Sequence, residues 1–174
     1  MQSLRNDHVD ILLREVKLAV GLACVMPEAA GKKGGYFCLA SSNTGVPHLF
    51  IQIGDVPNEN LEESLRLAME LPSRLSAHPD HLSSRESHNL EKEECSAAIF
   101  GNPFVYSFGG LPERLAEAAV IVVASRDGHV MSQREIGELA GMYGSDPNPF
   151  WPFIEKHARF FCKGVTSPWK LTRG

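Results

Sequence analysis

Apolar positions recur at helical spacing in the first stretch of the chain. Val9, Leu12, Leu13, Val16, Val20 and Ala23 form one face, with Arg14, Glu15 and Lys17 off it. Asn6 or Asp7 can cap this helix, which is predicted to run to about Cys24. Residues 27–35, PEAAGKKGG, then read as a loop, and Gly34-Gly35 beside Lys32 and Lys33 as a surface turn. Two strands follow, Tyr36–Ser41 and Pro47–Asp55, joined by a turn at Asn43-Thr44-Gly45. In the second, Leu49, Ile51 and Ile53 alternate with Phe50 and Gln52, which predicts one buried face. Asn60 with Glu63 suits the start of a second helix carrying Leu61, Leu65 and Ala68 inward. Pro72 is expected to interrupt it, with Ser73 restarting a short turn.

The second half repeats the pairing of strands. Cys95–Gly101 and Phe104–Phe108 read as short strands around the turn Asn102-Pro103. The stretch from Ser107 to Gly144 is the centre of the chain, because it joins a glycine pair, the most apolar run and the best-capped helix. Residues 118–124, AAVIVVA, are short and rich in β-branched side chains, as in a strand buried on both faces. PERLAEAA is a good helix former, so a helix from Pro112 competes; a short helical turn over 112–117 and then a strand is the reading taken. Asp127-Gly128 is a turn, and Ser132 with Glu135 makes a capping box. Ile136, Leu139, Ala140 and Tyr143 then form one stripe. A last helix from about Pro152 to Cys162 carries Phe153, His157, Phe160 and Phe161 on one side. Two-strand runs with tight turns imply an antiparallel sheet with helices packed on its faces, a profilin-like α+β fold. It is expected as a single domain over 1–164, with a tail over 165–174 that Trp169 could dock.

At 174 residues, with 43% hydrophobic and 22% charged content, the chain can bury a core of ordinary globular kind. A net charge of −4 argues against nucleic acid as a partner. No run approaches the ~20 apolar residues that span a bilayer. MQSLRNDHVD has no apolar core of the signal-peptide kind, so no membrane partner and a cytoplasmic location are expected. Cys24, Cys38, Cys95 and Cys162 are scattered without a C-x-x-C pair, which fits free buried thiols.

Candidate chemistry is sparse, and no reaction is named by it. Residues 76–94 are polar and carry His78, His81 and His88, which could hold a transition metal with Asp80 or Glu86. Read blandly, this is a solvated loop. His157, on the apolar side of the last helix, reads as a core histidine, and His48 at a strand start is unremarkable. Ser107 and Cys95 are potential nucleophiles without an elbow motif. Glu113 and Glu117 lie four apart, as on a solvated helix face.

Two stretches, LEESLRLAMELPSRL and FGGLPERLAEAAVIVVASRDG, resemble the haem-degrading GlcG/HbpS family over roughly residues 5–144. The motif that carries the resemblance is Gly-Gly-x-Pro, here Gly109, Gly110, Leu111 and Pro112, with Ser132 to Gly141 as the helix that follows. The chain has Leu67-Ala68 where a Lys-Ala pair is usual, and a bulky VIVVA where the family is glycine-rich, which implies a narrower pocket. The resemblance implies a profilin-like fold, a homo-oligomer, and a small-molecule ligand such as haem, with Gly109–Pro112 lining its pocket against the second helix. Two other classes compete. One is an adaptor module whose surface uses Phe150, Trp151 and Trp169; the other is a metal-dependent hydrolase built on the histidine loop.

Overall fold

A computed structural model describes residues 6–87, 95–128, 132–141 and 147–159. His88, Tyr143, Phe160, Phe161, Cys162, Trp169 and the proposed tail lie outside them. The chain runs α1 (Asn6–Cys24), β1 (Lys33–Ser41), β2 (Pro47–Asp55), α2 (Asn58–Ser76), β3 (Ser96–Phe100), β4 (Phe104–Gly109), α3 (Glu113–Arg126), α4 (Gln133–Leu139) and α5 (Trp151–His157). Short 3-10 turns occupy Pro27–Ala29 and Ser84–Ser87. The sheet has four strands in the order β2-β1-β4-β3, with each neighbouring pair antiparallel. This is an α+β fold in which α2 covers one face of the sheet while α3 and α1 cover the other.

Strand alternation decides what each face offers. Phe37, Leu39, Ile99, Tyr106 and Phe108 point into the large core shared with α1 and α3. Ala98 and Val105 meet Leu71 and Leu75 of α2 in a smaller cluster. The α2 side is thus lined by short side chains, which lets the helix lie close to the strands. Its buried stripe is Ser64, Leu67, Ala68, Leu71 and Leu75, a run of i, i+3, i+4, i+7 and i+11. Leu61 and Leu65, expected inward, sit half-buried at its edge.

Pro72 does not break α2. The helix continues to Ser76, although a proline cannot donate to the carbonyl of Ala68 four residues back. The Ser107 hydroxyl of β4 donates to that carbonyl instead, at 2.6 Å. The start of α2 also differs from expectation. Pro57 occupies the N-cap with no side-chain cap, so Asn60 and Glu63 lie inside the helix rather than forming a box.

The clearest correction is at 118–124, which is helical rather than a strand. α3 runs unbroken from Glu113 to Arg126 and is buried along its whole middle, from Leu115 to Ser125. Strands β3 and β4 lie against it on one side, and α1 and α5 on others. A helix enclosed all round needs no polar stripe, so its sequence loses the 3.6-residue signature and resembles a buried strand. Pro112 stands at its N-cap and Gly128, with φ +92°, follows its C-cap Asp127.

Other boundaries follow the pattern of the sequence closely. α1 ends at Cys24 and β2 spans Pro47–Asp55. The Ser132–Glu135 capping box is present, and Ile136, Leu139 and Ala140 are buried. Lys33, Gly34 and Gly35 belong to β1 rather than to a surface turn. β2 is an edge strand on which only Ile53 is fully buried. Trp151 is buried in the main core, which removes it from any surface. No described helix is long and apolar enough to cross a membrane.

Candidate functional site

The glycine motif closes β4 and leads into α3. Gly109 ends the strand, Gly110 takes φ +128°, Leu111 is fully buried and Pro112 caps the helix. Both glycines face the protein's own backbone. A Cβ on Gly109 would lie 2.2 Å from the Ser64 carbonyl oxygen, and one on Gly110 would lie 2.7 Å from Gly34 O and Gly35 Cα. The Gly110 amide donates to Cys95 O at 2.7 Å. Across from Gly109 stands Ser96, whose hydroxyl is buried without a hydrogen-bond partner.

A cleft opens at the other end of β4, roughly 17 Å away along five strand residues. Its volume is about 460 Å³, and it is lined by Ser41, Asn43, Thr44, Val46, His48, Pro103 and Phe104. The β1–β2 turn forms one wall and the Asn102-Pro103 turn the other. Ser42 N donates to Pro103 O at 3.0 Å and joins them. Gly45, with φ +69°, presses that turn onto α2, since a Cβ there would lie 2.5 Å from Ser73 Cα. The His48 ring stands edge-on to Phe104 with centroids 5.7 Å apart. The lining surface is mainly apolar, with one imidazole and three polar side chains contributing to it.

The histidine loop is partly assembled. His78 and His81 stack with centroids 4.9 Å apart, and Asp80 Oδ2 lies 4.0 Å from His81 Nε2. Glu86 does not belong to this group; its Oε1 accepts from the Leu82 and Ser83 amides at 2.7 and 3.1 Å.

Buried ionic groups cluster along α3. Glu117 is fully buried rather than solvated. It accepts from Ser83 Oγ at 2.5 Å, Asn148 Nδ2 at 2.6 Å and Arg114 Nη1 at 3.1 Å, with Arg85 Nε at 3.6 Å. Glu15 also lies inside, 2.9 Å from Arg126, although its position in the sequence suggested solvent. Asp127 receives the Tyr106 hydroxyl at 2.6 Å and stands 2.6 Å from His8 Nε2. Burial, then the Asp127 charge, raises the Tyr106 pKa. This group ties α1, β4 and α3 together.

Neither potential nucleophile is set up for attack. Ser107 is fully buried with its hydroxyl committed to Ala68. Cys95 is half-buried, with its carbonyl accepting from Gly110. Cys24, Cys38 and Cys95 are free thiols, and burial pushes Cys38 up to about 11, opposed by a hydrogen bond with Ser107. His157 is half-buried against Phe153 and not a core residue; burial, then Lys156 and Arg126, lowers its pKa.

Sequence reasoning did not find the cleft. His48 meets Phe104 because β2 pairs with β1 and β1 in turn pairs with β4, where residues 41 and 104 stand together in register. No family model, curated protein or solved structure matches the chain.

Proposed function

We propose that this protein binds a small, largely apolar planar molecule of the haem type in the cleft between the β1–β2 and β3–β4 turns. The observation that carries this reading is the coexistence there of an apolar lining of small-molecule size with one imidazole, His48, against Phe104. Ligand sites are typically concave and mainly apolar, with few orienting polar groups. An imidazole is also a common haem ligand. The GlcG/HbpS resemblance agrees with the ligand class but places the site at Gly109–Pro112. There, the close approach that the glycines allow is made by Ser64, Gly34 and Gly35 of the same chain.

Titration with haemin, read by the shift of its visible absorption, tests both positions. His48→Ala is expected to weaken binding about tenfold or more, with an unchanged melting temperature. Gly110→Ala should do the reverse. Its positive φ and backbone contacts predict a stability loss of about 1–3 kcal/mol, with affinity retained. Binding lost in Gly110→Ala but kept in His48→Ala would move the site to the glycine motif.

A further inference from the structure

The turn after α2 brings two imidazoles and a carboxylate together, none of which lines the cleft. The ligand atoms of His78, Asp80 and His81 all lie within 4.8 Å of one another. Ligands around a tetrahedral zinc, at 2.0–2.1 Å from the metal, are roughly 3.3 Å apart, so small side-chain rotations would close the set. Asp80 is free to make that movement, being 82% exposed.

Both imidazoles are mounted on fixed backbone. The His78 amide donates to Leu75 O, and the His81 amide to His78 O, at 3.0 and 2.9 Å. On the far side, Leu82 O accepts from Phe100 N at 2.8 Å, Ser83 bridges to Ile99 of β3, and the Ser83 hydroxyl reaches Glu117. The C-terminal end of α2 adds a partial negative charge beside the group, which favours a cation. A second observation concerns His81 itself. Its Nδ1 is buried with no hydrogen-bond partner, so no internal hydrogen bond from that atom accounts for the orientation of the ring.

We propose that His78, Asp80 and His81 bind one divalent transition-metal ion, zinc being the natural match to two imidazoles and one carboxylate. Three protein ligands leave a fourth position for water or for a donor from another molecule.

Competition of the untagged full chain with a chromophoric chelator for Zn²⁺ tests this. One equivalent should bind, and Co²⁺ in its place should give the visible bands of a low-coordinate ion. Asp80→Asn and His81→Ala are each expected to lower Zn²⁺ affinity roughly tenfold or more, and His78→Ala with His81→Ala to abolish it. His48→Ala should leave it intact, which separates this site from the cleft. Should the double variant fail to fold, Asp80→Asn carries the test, because so exposed a side chain has no packing role. Substoichiometric binding, or affinity unchanged in Asp80→Asn, overturns the proposal.

Discussion

At the residue scale, burial changes what ordinary groups do. Cys38 is fully buried in β1, where its thiol is held up to about 11 from a usual 9.0. A thiol that resists ionisation in the folded chain favours folding only while it is protonated in both states. Above pH 9 the unfolded chain loses this proton first, so stability falls from about pH 9 and levels off beyond 11. Two units correspond to about 2–3 kcal/mol. Urea unfolding at pH 8 and pH 11 should therefore show a difference that shrinks by about this amount in Cys38→Ala. An equal alkaline loss in the two proteins would disprove the assignment to Cys38. His48 illustrates the complementary point. Nothing in its local sequence distinguishes it, and its setting comes from two strand pairings, one of them between residues more than sixty positions apart.

At the element scale, α3 shows why a legible pattern can mislead. The amphipathic elements α1 and α4, and the edge strand β2, could be placed from the sequence because each has one face toward water or toward the edge of the sheet. α3 is enclosed on all sides, so its apolar run carries no period and its β-branched residues suggested a strand. Length was the better guide, since PERLAEAA continues into the run without a break and the joined segment exceeds a usual buried strand. Its charged residues were misjudged for the same reason. Glu117 finds Ser83, Arg85 and Asn148 only in the folded chain. Glu117→Gln removes the buried charge that Ser83, Asn148 and Arg114 all donate to, and is expected to cost about 3 kcal/mol in urea unfolding. Glu62→Gln, on the exposed side of α2, should change stability by less than about 0.5 kcal/mol. Similar effects for the two would mean that Glu117 is not a structural anchor.

For the whole molecule, the sheet has two outer strands, β2 and β3, and α1 presents apolar side chains outward. Ile11 and Leu18 are 47% and 44% exposed, two turns apart on one stripe, and Val25 beyond the helix is 80% exposed. Such a stripe fits self-association through α1, in keeping with the homo-oligomer expected from the sequence. Light scattering at ~100 μM, above typical specific dissociation constants, should then give a dimer mass, and Leu18→Glu should return it to monomer. A monomer mass for the unmodified chain at that concentration would end this reading.

Pro72 and Ser107 have a consequence for which substitutions the chain can accept. In water, solvent can serve the Ala68 carbonyl that Pro72 leaves open; against the sheet, Ser107 serves it. Were residue 72 an alanine, its own amide would take that carbonyl, and the buried hydroxyl at 107 would be left without an acceptor. The acceptable residue at each position therefore depends on the other, although the two stand 35 positions apart in sequence. A serine that resembles a nucleophile beside a glycine pair is, in three dimensions, the missing N–H of a helix.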